Sequence, residues 1–185
     1  MKLISTLIAV ALSILACTAQ TSNSQNMNEK KVLVAYFSAT GTTKAKATAI
    51  AKEINATLYE ITPATLYSDD DLDWRNKQSR SSMEMADNQS RPELGGKTVN
   101  AADYDVIFIG FPIWWDVCPH VVNTWIESQN LKGKTVIPFA TSGGSSINNS
   151  QKTLRSLYPD CRWQDGKLLN GSAKSAAEWA ESIVK

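Results

Sequence analysis

Three short stretches of this 185-residue chain carry residue types suited to holding a phosphate and a flat ring. The first, Ser38-Ala39-Thr40-Gly41-Thr42-Thr43, follows the apolar run Val32 to Phe37 and precedes an alanine-rich stretch. Strand, hydroxyl-bearing loop and helix in that order set the helix's first backbone N–H groups, which lack intrahelical partners, beside four side-chain hydroxyls. The positive end of the helix dipole favours an anion there, and Gly41 permits a tight turn with positive φ. The loop has no lysine before Lys44. It also lacks the second glycine and Lys-Ser/Thr pair of a triphosphate loop, and the three-glycine dinucleotide fingerprint. Taken alone, it would serve equally well as an ordinary serine and threonine helix cap.

The second stretch, Gly110-Phe111-Pro112-Ile113-Trp114-Trp115-Asp116, ends the most apolar strand. Exposed indoles are uncommon without a partner, and an offset-stacked aromatic ligand would bury one. Neighbouring residues in extended chain point opposite ways, so one of Trp114 and Trp115 faces a ligand and the other the interior. The sequence does not say which. The third stretch, Thr141-Ser142-Gly143-Gly144-Ser145-Ser146, lets backbone come close to a flat ligand and read its polar edge with N–H and C=O groups.

Other chemistry is poorly supported. His120 is the single histidine, it has no acid spaced to pair with it, and no Gly-x-Ser-x-Gly elbow presents a nucleophilic serine. Cys118 and Cys161 fit no metal or redox spacing; they are expected as free, mostly buried thiols, one near the site and one at the far end of the sheet.

The elements that must position these loops alternate. Strand-like segments fall at 31–38, 56–62, 104–111, 135–141 and 162–169, and helical stretches at 43–54, 119–128, 147–157 and 172–184. Such alternation predicts a parallel sheet covered on both faces, with ligands outside the carboxyl ends of its strands. One connection, 63–102, is far longer than a short helix needs and carries Asp69, Asp70, Asp71, Trp74, Arg75 and Arg80. It reads either as a solvated excursion whose Trp74 packs back on the domain or as a flap beside the ligand.

Positions 38–43 match the phosphate loop Thr/Ser-x-Thr-Gly-x-Thr of the flavodoxin family, and the chain from Lys31 to Lys185 resembles that family throughout. The resemblance implies an α/β doubly wound, three-layer sandwich with a five-stranded parallel sheet of order 2-1-3-4-5. It implies FMN as cofactor. The phosphate would be held by Ser38, Ala39, Thr40, Gly41, Thr42 and Thr43, and the ring by Pro112, Ile113, Trp114 and Trp115 together with Thr141, Ser142, Gly143, Gly144 and Ser145. The implied function is electron transfer, with an NAD(P)H-dependent quinone or flavin reductase as the alternative on the same fold. Partners would be a redox protein, or a small quinone or nicotinamide. Members of the family often place an aromatic residue in the third loop; none is present here, which leaves one ring face open or covered by the 63–102 segment. Only Asp116 is acidic among the three loops, so weak electrostatic destabilisation of the reduced flavin is expected.

The amino terminus reads separately. Met1-Lys2 is followed by an apolar stretch to Ala16, too short for a permanent span, which predicts a signal peptide over 1–16. Ile14-Leu15-Ala16-Cys17 resembles a bacterial lipobox, implying lipidation at Cys17 and a place on the periplasmic side of a membrane; cleavage after Ala19 is the other reading. The polar stretch 17–30 reads as a flexible tether, and 31–185 as the domain. Removing Lys2 takes the 19 basic residues to 18, matching the 18 acidic ones. A neutral chain gives no electrostatic case for nucleic acid and departs from the acidic surface usual in the family.

Overall fold

The computed structural model describes residues 30–184. The expected signal peptide at 1–16, Cys17 and the tether up to residue 29 lie outside the described residues. Along the chain run β1 (Val32–Tyr36), α1 (Thr42–Glu53), β2 (Thr57–Glu60), β3 (Thr62–Pro63), α2 (Arg80–Ala86), β4 (Leu94–Gly95) and β5 (Val106–Pro112). After these come α3 (His120–Ser128), β6 (Thr135–Thr141), α4 (Asn148–Leu157), β7 (Arg162–Trp163), β8 (Lys167–Leu168) and α5 (Ala173–Val184).

The main sheet is parallel, in the order β2-β1-β5-β6-β7, with β8 also on β6. This is the expected 2-1-3-4-5 order. Both faces are buried, which is why the strands read as continuous apolar runs rather than as alternation. Leu33, Ala35, Phe37, Ile107, Ile109 and Phe111 point to the side covered by α3 and α4, while Val34, Tyr36, Val106 and Phe108 point to the side covered by α1 and α5. On the first side Trp125 is fully buried, as are Leu33, Ile107 and Ile109, each of which contributes roughly 1.5–3 kcal/mol over an exposed side chain.

The fifth strand, expected unbroken over 162–169, is split into β7 and β8. The cause lies in its neighbour. The Val136 carbonyl accepts the Gln164 N–H at 2.9 Å and the Ala140 carbonyl accepts the Leu169 N–H at 2.7 Å, so alternate residues of β6 face this edge. Between them stands Pro138, which has no N–H to give. Gly166 crosses the gap so tightly that a Cβ there would lie 2.1 Å from the Pro138 carbonyl oxygen.

The 63–102 connection is built rather than loose. β3 and β4 form an antiparallel pair at its base, with Thr62 opposite Gly95, and α2 stands within it, where the sequence suggested no helix. That helix is only 7 residues long, and its apolar positions Met83, Met85 and Ala86 are too few to set a period. Its start is fixed instead by Ser79, whose hydroxyl accepts the Ser82 N–H. Among the described residues, no helix is long and apolar enough to cross a membrane.

Candidate functional site

At the switch in strand order between β1 and β5, the carboxyl ends of β1, β5 and β6 lie side by side, because Tyr36 pairs with Gly110 and Pro112 with Thr141. The three loops singled out by sequence leave from these ends and meet there. Close approach is built into β5: a Cβ on Gly110 would fall 2.2 Å from the Phe139 ring. The Phe37 N–H continues the ladder to the Gly110 carbonyl at 2.9 Å.

In the first loop Gly41 caps α1 with φ +86°, a conformation glycine adopts at little cost, and its α-carbon faces open space. Among the described residues no side chain caps this helix, so the ordinary-cap reading of the loop fails. The Ser38 hydroxyl is buried and has no hydrogen-bond partner among the described residues. Such an orphan costs about 1–3 kcal/mol unless a water or a ligand atom pairs with it. The Thr43 hydroxyl is already committed, meeting the Thr141 hydroxyl at 2.9 Å in a buried contact across 98 residues. An orphaned donor, an αL glycine and a bare helix start fit a monophosphate.

The second loop turns back on itself. Trp114 and Val117 exchange both backbone hydrogen bonds at 3.0 Å. Between them, Trp115 at φ +44° and Asp116 at φ +67° both occupy the left-handed region. A turn of this kind normally takes Asn-Gly, so a tryptophan at its first position is strained. The Asp116 carbonyl is held by the Ser150 hydroxyl of α4 at 3.1 Å. This geometry separates the two indoles. Trp114 packs edge-on against Phe37 (centroids 5.6 Å apart) and Tyr67 (5.2 Å), whereas Trp115 is 47% exposed. Trp114 is therefore the inward residue, and Trp115 is left for a ring.

The third loop is fixed at its start. The Asn170 side chain accepts the Ser142 N–H at 2.9 Å and donates to the Ser142 carbonyl at 2.8 Å. The Ser142 hydroxyl accepts the N–H groups of Gly144 and Ser145. Gly143 and Gly144 are exposed, and a Cβ on either would meet nothing within 4 Å. The backbone is thus open to a ligand edge.

Sequence reasoning missed Phe37, Tyr67 and Asn170. The Tyr67 ring carries the Arg80 guanidinium 4.2 Å above it, and its hydroxyl donates to Glu84 at 2.5 Å. Burial and the neighbouring carboxylate push its pKa upward, so the phenol stays neutral. For Tyr67 the available signal was that it and Trp74 are the two aromatic residues of the 63–102 insertion; its target could not be read. The insertion also brings Leu72 and Trp74 to the tryptophan turn around a shared cavity. Asp71 and Asp73 flank Leu72, so a count of acids in the three loops alone undercounts the charge nearby.

His120 opens α3 and is buried, with Nδ1 unpartnered among the described residues; burial and then Arg91 lower its pKa. It packs beside the insertion rather than on the loops. Cys118 is a free, buried thiol whose pKa burial pushes up to about 12, which makes it inert; Cys161 is a second free thiol. A larger cavity of about 500 Å³ lies at the opposite end of the sheet, between Val32, Ile54, Val106 and Ile137, away from these loops.

The flavodoxin family model matches residues 31–183. A candidate flavoprotein from Bacteroides uniformis is 53% identical, with a TM-score of 0.79 over 82% of this chain and 98% of that one. A second, from Bacteroides eggerthii, is 52% identical, with a TM-score of 0.78 over 84% and 99%. A flavoprotein from Lactobacillus acidophilus solved in complex with FMN shares the fold at 22% identity and a TM-score of 0.64, over 82% and 99%. No curated protein sequence matches the chain. With three loops gathered at the carboxyl edge of a 2-1-3-4-5 sheet and a family match across almost the whole described chain, the protein belongs to the flavodoxin family.

Proposed function

We propose that this protein binds FMN and transfers electrons through it. The observation that carries the reading is the buried, unpartnered Ser38 hydroxyl beside the αL Gly41 at the uncapped start of α1. Ser38, Thr40, Thr42 and the backbone of 39–43 would hold the phosphate. Trp115 would stack on the ring, with Pro112 and Ile113 along it, and the backbone of Ser142 to Ser145 would read its polar edge. Thr43 and Thr141 brace the two outer loops against each other. The flavin, when bound, supplies one- and two-electron redox chemistry, and the chain tunes it by stacking, hydrogen bonding and charge.

The reading is tested by the absorbance of the purified full chain and by its uptake of added FMN. A yellow protein with a flavin spectrum, or stoichiometric uptake, supports it; a colourless protein that takes up none overturns it. The alternative, an NAD(P)H-dependent quinone or flavin reductase, draws support from the half-exposed Trp115 and the cavity beside it, which leave room for a second molecule. Steady-state NAD(P)H oxidation separates the two: turnover with a quinone favours the reductase, and reduction only by a partner protein favours the carrier.

Export and anchoring belong to the same proposal and rest on the residues before 30. They are tested by fractionation of wild type and Cys17→Ser, with the anchor reading requiring that the wild type alone sediment with membranes.

A further inference from the structure

The cavity between the insertion and the tryptophan turn has a volume of about 320 Å³ and is lined by Leu72, Trp74, Ser81, Ile113, Trp114 and Trp115. Five of these are apolar or aromatic. The sixth, Ser81, is 2% exposed, and its hydroxyl has no hydrogen-bond partner among the described residues. A buried hydroxyl left unpaired in apolar surroundings is costly and asks for a partner from outside the chain. The walls point the same way. Trp74 is 71% exposed and Trp115 is 47% exposed, so two large indoles stand open beside one small cavity. Trp114, locked between Phe37 and Tyr67, makes the remaining aromatic wall rigid. The strained φ of Trp115 is the kind of local cost that clusters where ligands are clamped.

We propose that this cavity is a second ligand site, for a small planar aromatic molecule bearing a single oxygen function. The ring packs against the indoles of Trp74 and Trp115, and the oxygen hydrogen-bonds with the Ser81 hydroxyl, which can donate to a carbonyl or accept from a phenol. The volume suits a molecule of one or two rings, at the small end of ligand pockets. Ile113 and Trp115 are common to this cavity and to the residues assigned to the flavin, so the guest sits beside the flavin; in that adjacency alone the inference rests on the reading above.

The test uses the full chain loaded with FMN and two probes of the same shape, 4-fluorophenol and 4-fluorotoluene, followed by fluorine NMR. The phenol is expected to saturate and to bind about tenfold tighter than the toluene, because only it satisfies Ser81. Ser81→Ala is expected to abolish that preference while FMN uptake persists. Trp74→Ala, at an exposed position, is expected to weaken both probes several-fold with melting and FMN uptake unchanged, and it carries the test if the Ser81 variant fails to fold. Equal affinities for the two probes, or no saturable binding, overturn the proposal. Binding confined to the apoprotein and displaced by FMN also overturns it, giving the cavity to the flavin and leaving the flavin reading intact. Failure to take up FMN would sink that reading instead, and titration of the apoprotein with the same pair would still decide the site.

Discussion

The Thr43 and Thr141 hydroxyls meet at 2.9 Å inside the protein, joining the first turn of α1 to the last residue of β6. One neutral hydrogen bond thus ties the phosphate loop to the glycine loop. Removing one partner strands the other: Thr43→Val or Thr141→Val is expected to lower stability by about 1–3 kcal/mol, and the double variant by less than the sum. Urea denaturation of the four proteins gives the coupling, and additive losses would show that the contact carries no energy.

Ser38→Ala is expected to act in opposite directions on the two states. Removing a buried hydroxyl without a partner leaves the apoprotein as stable or slightly more so, while FMN affinity falls about tenfold through the lost donor. Riboflavin, which has no phosphate, should not notice. Equal losses for FMN and riboflavin would place Ser38 elsewhere in the site.

At the tryptophan turn, Trp115→Asn replaces a strained residue by one that tolerates the left-handed region. The apoprotein is expected to gain up to about 1 kcal/mol, whereas stacking, read as quenching of flavin fluorescence on binding, is lost. Trp114→Asn should do the reverse, since its ring packs on Phe37 and Tyr67; retained stability there would exchange the two roles.

Gly110 faces the Phe139 ring with no room for a methyl group. Gly110→Ala is expected to cost about 3 kcal/mol, and Gly110→Ala with Phe139→Leu to recover part of it. A melting temperature unchanged in the single variant would mean the ring moves freely.

Stability should also depend on pH through His120. Its folded pKa lies below the ordinary 6.5 because burial, and secondarily Arg91, disfavour the charged ring, against a partial offset from Glu84 and Asp87. Above 6.5 both folded and unfolded chains hold a neutral imidazole, so nothing is lost. As the pH falls through 6.5, the unfolded chain takes up a proton that the folded one resists, and stability declines until the lowered pKa is passed. Urea midpoints from pH 7.5 to 5 are expected to fall in the wild type and to flatten in His120→Gln; parallel curves would assign the decline to other groups.

What the residues determined alone was local. Apolar runs, hydroxyl-rich and glycine-bearing loops and helical stripes are written within a dozen residues, and their alternation predicts a parallel sheet with the three loops outside the carboxyl ends of its strands. The strand order 2-1-3-4-5 was implied by the resemblance to the flavodoxin family. Tertiary packing decided the rest. The burial of the Ser38 hydroxyl, the contact between Thr43 and Thr141, the break opposite Pro138 and the Ser81 cavity all depend on how segments distant in sequence pack against one another. The choice between Trp114 and Trp115 followed from the left-handed turn at Trp115 and Asp116, closed by the pairing of Trp114 with Val117, which leaves Trp114 packed on Phe37 and Tyr67 and Trp115 exposed.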